Sequence, residues 1–244
     1  MKVEQLNVGW ISSPAAVYRQ GEDPSARIRF PIPAYLIETD DERILIDAGL
    51  HPDAIADPAS FYGPAAAMFG LEQEQSIVEQ VDVGTLTRIV LTHLHFDHSG
   101  ALALLPASVP IVIQRREWEA AQDDAAVSRN FFYPRDYAAA QDRELVLIDG
   151  DHDLLGDGSV ELLLTPGHTP GHQSVRVGEE LIIGADVGHF AITLDDHRFP
   201  SFADDFAAQG RSAERLRALR EHGTRVLPGH DPDVLRPGPV AVSL

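Results

Sequence analysis

No cysteine occurs in the 244 residues of this chain. Disulfides and thiolate nucleophiles are therefore excluded, and any metal site must be built from histidine, carboxylate and water. No apolar run is long enough to span a bilayer. The opening "MKVEQLNVGW" lacks the apolar core of a signal peptide, so a cytoplasmic protein is expected. Basic residues are scarce: 19 lysines and arginines face 38 acids, a formal charge of −19. Such a surface repels nucleic acid and anionic membranes unless a local basic patch intervenes. The one stretch to consider, "QRREWE", holds only Arg115 and Arg116 with acids close behind. Neither nucleic acid nor membrane is expected as a partner, and the acidity reads as solubility.

What is present is an ordinary globular composition, 44% hydrophobic and 23% charged, in a chain long enough to bury a sizeable core. "IPAYLIETD" and "RILIDAG" are β-rich runs separated by "DDE", which predicts a hairpin. Residues 51–70, rich in Pro, Ala and Gly, read as an irregular loop. "LEQEQSIVEQVD" has helical spacing of Leu71, Ile77 and Val78 with acids opposite. "TRIVLTH" and "IVIQ" read as buried strands, and "REWEAAQDD" as a helix. In the second half "ELVLID", "VELLLTPG", "QSVRVG" and "ELIIGADV" are four short strands. "SAERLRALREHG" is an amphipathic helix stopped by Gly223, and "TRVLPGH" is a last strand. Strands followed by a helix, twice, predict an α/β fold of two packed sheets with helices outside. No linker divides the chain, so residues 1–244 read as one domain of two similar halves.

Four strand ends carry residues that can ligate metal. The first is "LTHLHFDHSG", with His93, His95, Asp97 and His98. The second is "TPGHTPGH", with His168 and His172. The third is "GADVGH", with Asp186 and His189, and the fourth is "PGHD", with His230 and Asp231. Alternate residues of a strand face the same way, so His93 and His95 can point at one ion. Asp97 and His98 fall past the strand end and can reach a second ion. His168 and His230 would complete one ion each, and the two oxygens of Asp186 can bridge the pair. Five imidazoles and two carboxylates without a thiolate suit Zn2+, and also accept Mn, Fe or Co. Two divalent cations outweigh two carboxylates and a hydroxide. The net positive charge left over favours a transition state that gains negative charge on oxygen. Metal lowers the pKa of bound water to about 7, so hydroxide is available near neutrality.

These motifs resemble the metallo-β-lactamase superfamily: a strand ending in H-x-H-x-D-H, a P-G-H loop, a bridging Asp and a final G-H, in that order. The resemblance implies an αββα sandwich of two mixed sheets flanked by helices. It also implies that His93, His95 and His168 hold one metal, that Asp97, His98 and His230 hold the other, and that Asp186 bridges them. Within the superfamily "IPAYLIETDDERILIDAG", "HLHFDHSG", "IVIQRREWEAA" and "TPGHTPGHQSV" resemble the N-acyl homoserine lactone lactonases, which quench bacterial quorum sensing. The resemblance implies opening of the lactone ring by a hydroxide that bridges the metals, with Asp97 assisting proton transfer. One departure stands out. Those lactonases carry a tyrosine three residues after the bridging aspartate, and here that residue is His189. An imidazole can donate the same kind of hydrogen bond, so His189 is a second catalytic candidate beside Asp97, with a purely supporting role as the other reading.

Asp47, at a strand end, either orients a ligand histidine or serves a turn. His172, whose neighbour His168 better fits the ligand slot, reads either as a support behind the ligands or as structural, and His51, His152, His197 and His222 read as surface residues. Phe61, Tyr62, Met68 and Phe69, with Phe131, Phe132 and Tyr133, either line an acyl-chain groove or anchor their loops. Other readings remain: a lactonase or esterase for another small ring, such as a pyridoxine-derived lactone, and a non-catalytic metal-binding protein. A thioesterase with a basic C-terminal extension, a nuclease with a basic groove and an exported β-lactamase fit this sequence poorly. Monomer and homodimer both remain open.

Overall fold

The computed structural model describes residues 1–23 and 25–242. Thirteen strands lie among the described residues. In the first part of the chain they are β1 (Lys2–Pro14), β2 (Arg27–Glu38), β3 (Arg43–Ile46), β4 (Gly70–Glu72), β5 (Arg88–Val90), β6 (Ile111–Gln114) and β7 (Leu145–Ile148). There follow β8 (His152–Asp153), β9 (Val160–Leu164), β10 (Gln173–Val177), β11 (Leu181–Ile183), β12 (Arg225–Leu227) and β13 (Gly238–Val240). One sheet runs β13-β1-β2-β3-β5-β6-β7, with β4 paired to β1, and the other runs β12-β11-β10-β9-β8. The two halves seen in the sequence thus become the two sheets, with two exceptions: β7, read as the first strand of the second half, pairs with β6 in the first sheet, and β13 returns to that sheet as well.

Alternation along the strands builds the layers. In β2 and β3, Tyr35, Ile37, Ile44 and Ile46 point into the core between the sheets, where they meet Leu162, Val175 and Ile183 from the second sheet. The intervening Leu36 and Leu45 point outward into a second cluster beneath the short helices and loops. Both faces of β3 are therefore buried, which is why it reads as a continuous apolar run. Each such Ile or Val contributes about 1.5–3 kcal/mol of burial. A third cluster, with Ile182, Leu194, Ala213 and Leu216, lies under the helix Phe206–Glu221. That helix buries Gln209, Ser212, Ala213 and Leu216, the spacing of one helical face. Asp205 caps it by accepting from the backbone of Ala207 (2.8 Å) and Ala208 (3.0 Å). It ends beside Gly223, whose φ of +105° turns the chain away.

Some elements depart from the sequence reading. The expected hairpin is β2–β3, with Tyr35 opposite Ile46. Residues 51–70 are not wholly irregular but form short helical turns, Pro52–Ala54, Pro58–Tyr62 and Pro64–Met68. The helix expected over 71–82 is confined to Ile77–Gln80, because Gly70–Glu72 instead pairs with β1. Finally β5 stops at Val90, so His93 and His95 lie beyond the strand and not on it. The cause is Asp47. Its Oδ1 accepts the N–H of Thr92 (2.8 Å), which leads the chain out of the ladder.

Candidate metal centre

The carboxyl ends of β3, β5, β9, β11 and β12 bring Asp47, His93 to His98, His168, Asp186 and His230 to one edge of the sandwich. All seven expected ligands are buried and converge. His93, His95, His168 and Asp186 form one group, and Asp97, His98 and His230 another; within each group the donor atoms lie within 4.8 Å of one another. Asp186 joins the two groups. Its Oδ2 is 3.7 Å from His93 Nε2 and 3.3 Å from His168 Nε2. Its Oδ1 is 3.6 Å from His98 Nε2 and 3.1 Å from His230 Nε2.

Outer hydrogen bonds decide which ring nitrogen faces inward. Thr92 Oγ1 donates to Asp47 Oδ2 (2.8 Å) and so accepts from His93 Nδ1 (3.1 Å), leaving His93 Nε2 bare. His95 Nε2 donates to the carbonyl of Asn130 (2.7 Å), leaving its Nδ1 bare. His98 Nδ1 donates to Asp47 Oδ2 (2.7 Å), and His230 Nδ1 to the carbonyl of Pro31 (2.9 Å). Each ring thus turns its other nitrogen to the centre, the arrangement that orients metal-binding imidazoles. Asp47 holds this geometry from a left-handed φ of 61°, so it orients the His98 ring and is more than a turn residue.

The donors fit a divalent cation, and nothing else among the described residues satisfies them all. His93 Nε2 and His168 Nε2 stand 3.1 Å and 2.9 Å from His95 Nδ1. Bare nitrogens at that spacing repel unless a cation sits among them. Among the described residues, His98 Nε2, His230 Nε2 and Asp186 Oδ1 are buried without a hydrogen-bond partner, which is costly for polar atoms. In the protein alone, burial pushes His93, His95 and His168 below the usual imidazole range. Burial also pulls His98 and His230 down, but carboxylates overcome it and raise both: Asp47 foremost for His98, Asp186 for His230. Burial pushes Asp186 up, yet the imidazoles of His189, His230 and His98 hold it well below the carboxylate range. The site therefore attracts positive charge into its centre.

The supporting loops are built for close approach. Glu117, fully buried, accepts from Leu94 N (3.1 Å) and Gly171 N (2.7 Å), stapling the His93 loop to the His168 loop. A Cβ on Gly167, at φ +129°, would lie 2.0 Å from the backbone nitrogen of Gln209, so glycine alone lets this loop touch the helix Phe206–Glu221. Gln209 Nε2 in turn donates to the carbonyls of Asp186 (3.2 Å) and Val187 (3.3 Å). Glu117, Thr92, Asn130 and Gln209 carry no signal in the sequence, because each reaches the site through tertiary contact.

His189 also reaches the centre. Its Nε2 is 3.1 Å from Asp186 Oδ2, and with Asp186 and His230 it forms a third group of converging donors. His172 belongs to none of these groups. His152 and His222 are exposed, whereas His51 and His197 are half-buried and belong to none of the donor groups. A cavity of about 260 Å³ opens on the centre, lined by His95, Asp97, Asp186 and His189 at its floor. Met68, Phe69, Phe131 and Tyr133 stand in its walls as one of the two sequence readings had it. Phe61, Tyr62 and Phe132 instead pack behind the wall and anchor it. Tyr18 and Phe202, unmarked in the sequence, are also part of the lining.

Residues 27–230 match the family model of the metallo-beta-lactamase superfamily. The chain is 28% identical to the N-acyl homoserine lactonase AttM of Azorhizobium caulinodans, over 96% of this chain and 94% of that protein. It is 30% identical to an N-acyl homoserine lactonase of Bacillus cereus, over 85% and 84% of the two chains. Its fold matches that of an N-acyl homoserine lactone hydrolase solved with N-hexanoyl-L-homoserine at its catalytic metal centre, with a TM-score of 0.83, 24% identity, and 95% and 94% of the chains covered. With the family's fold in place and every residue of its motif gathered at one buried centre, this chain belongs to the metallo-beta-lactamase superfamily.

Proposed function

We propose that this chain is a dinuclear metal-dependent lactonase that opens the ring of N-acyl homoserine lactones. The observation that carries the reading is the orientation of Asp186, with one oxygen toward each histidine group and an apolar cavity directly above. His93, His95 and His168 with Asp186 Oδ2 would hold one ion, and Asp97, His98 and His230 with Asp186 Oδ1 the other. Zinc suits this nitrogen and oxygen set best, with Mn, Fe or Co as substitutes. Bound there, the ions supply the positive field that stabilises charge developing on the carbonyl and leaving oxygens.

The chain's own groups do the rest. Asp97 lines the cavity floor, where its carboxylate takes the proton of the attacking oxygen and passes it to the leaving oxygen as the ring C–O bond breaks. His189 Nε2 lies 3.1 Å from Asp186 Oδ2 on the cavity side; with that oxygen given to an ion, the single N–H of the ring would donate to the leaving oxygen instead. Burial pushes the His189 imidazole down, so it acts as a neutral hydrogen-bond donor and not as a cation. Met68, Phe69, Phe131 and Phe202 give the acyl tail an apolar path away from the polar floor. A neutral ester with an apolar tail also suits a protein of formal charge −19 whose positive field is local.

The test is a pH-stat assay of zinc-loaded protein on N-acyl homoserine lactones of short and long chain, with a chelator control. A pyridoxine-derived lactone serves as the competing ring. The reading predicts metal-dependent acid release that improves with chain length. Acid release from the compact ring alone would move the substrate class. Silence on every lactone and ester from protein that holds metal would leave a binding protein.

A further inference from the structure

The second histidine of "TPGHTPGH" lies outside every group of converging donors, yet it is wholly buried. Its Nε2 accepts the backbone N–H of Asp186 at 3.0 Å. An imidazole nitrogen that accepts carries no proton, so the proton is on Nδ1. Nδ1 lies 3.1 Å from the Thr165 carbonyl and 3.0 Å from Thr165 Oγ1, and it donates there. Thr165 Oγ1 is 3.0 Å from Ser174 Oγ, which donates to the Gly184 carbonyl (3.0 Å). A closed circuit of hydrogen bonds therefore runs from β9 and β10 around the ring of His172 to the turn after β11.

That turn is strained. Ala185 has φ +45°, a left-handed conformation that a side chain disfavours. Such a conformation persists only where its surroundings hold it. On one side Gln209 grips the Asp186 carbonyl, and on another Gly229 crowds the carboxylate: a Cβ there would stand 2.3 Å from Asp186 Oδ1. The Asp186 N–H has one acceptor among the described residues, His172.

We propose that His172 is a positioning residue of the metal centre: it fixes the Ala185–Asp186 turn and so aims both oxygens of Asp186, one at each donor group. The proposal rests on the dinuclear reading above, not on the identity of the lactone. Both oxygens belong to one carboxylate, so loosening the turn moves them together. Removal of the acceptor therefore weakens both ions, whereas an outer partner that touches one histidine alone, such as the Asn130 carbonyl at His95, acts first on the one ion that this histidine would hold.

The test compares His172→Phe, His172→Gln and His172→Asn in the full chain. Gln carries an acceptor to the place of Nε2; Asn falls short of it. Zinc dissociation constants for both equivalents are read by competition with a chromophoric chelator, and visible bands are read after cobalt loading. Thermal melts of metal-free protein check the fold. The expected result is a loss of about 10- to 100-fold on both equivalents for Phe and Asn, with shifted cobalt bands. Gln should stay within about threefold. Folded Phe or Asn variants with wild-type constants and bands would overturn the proposal, because a merely structural histidine lowers the melt and leaves the centre alone. Gln as weak as Asn would overturn it too. Should Phe fail to fold, the Gln and Asn pair decides. In the wild type, a scalar coupling across the hydrogen bond between the Asp186 amide nitrogen and His172 Nε2 is expected by NMR, and its absence contradicts the geometry. Protein that binds two ions and opens no lactone removes the substrate reading while these predictions stand; protein that binds no metal overturns both.

Discussion

Asp186 is the residue on which both halves of the centre depend, since Oδ2 faces His93 and His168 while Oδ1 faces His98 and His230. Asp186→Asn removes the charge and one of the two acceptor oxygens. Metal retained after dialysis, measured by mass spectrometry, should fall for both equivalents together, and activity with it. Full occupancy with unchanged turnover would break the bridging assignment. His189→Ala should behave differently. The seven motif residues remain, so metal stays, while kcat falls about 100-fold through loss of a hydrogen bond at the leaving oxygen. Equal kcat and KM in that variant would deprive His189 of a catalytic part. At this scale the candidate ligands were legible in the sequence because their chemistry is unusual and their spacing regular. Their partners were not. His230 is oriented by the carbonyl of Pro31, 199 residues away, and His95 by that of Asn130. A backbone carbonyl carries no residue signature, so no reading of side chains finds it.

Short strands ending in tight loops make the site possible. Gly229, after β12, packs so close to Asp186 that an added Cβ would stand 2.3 Å from Oδ1 and 2.9 Å from the Ala185 carbonyl oxygen. Gly229→Ala should therefore displace the bridge and cost metal affinity about 10-fold or more, read by chelator competition. An unchanged affinity would mean that the loop yields and the carboxylate does not. The hairpin of β2 and β3, the strand β6 and the stop at Gly223 could be read in advance, since local pattern sets them. The end of β5 could not. A strand through His93 satisfies the periodicity, but the Asp47 carboxylate takes the Thr92 N–H and ends the ladder early. Nor could the short helix Ile77–Gln80, where pairing of Gly70–Glu72 with β1 overrides helical spacing.

The two-sheet sandwich was visible as two successive groups of strands, whereas the place of β7 beside β6 and the return of β13 beside β1, both in the first sheet, were not, because tertiary pairing and not local pattern sets them. Two buried carboxyls make stability depend on pH across the whole molecule. Burial pushes Asp136 up to about 8, with the Tyr62 hydroxyl and Arg135 pulling the other way. Burial pushes Glu117 up to about 7, against the N–H groups of Gly171 and Leu94. A carboxyl with a raised native pKa holds its proton more tightly folded than unfolded. Its stabilisation is complete below the unfolded value, near 4, and is lost as pH climbs through the native one. Asp136→Asn should then stabilise the metal-free protein by a margin that widens from pH 5 to pH 8.5 in thermal melts. A constant margin would place Asp136 in water.

The central claim is that two ions held by this one cluster open a lactone ring. The measurement that tests it most directly is a titration of metal-free protein with zinc, following bound metal and hydrolysis of N-hexanoyl homoserine lactone in the same samples. The account predicts no hydrolysis without metal, and a rate that rises with occupancy and levels off near two ions per chain. Full hydrolysis by metal-free protein, or two bound ions with no turnover of any lactone, would contradict it.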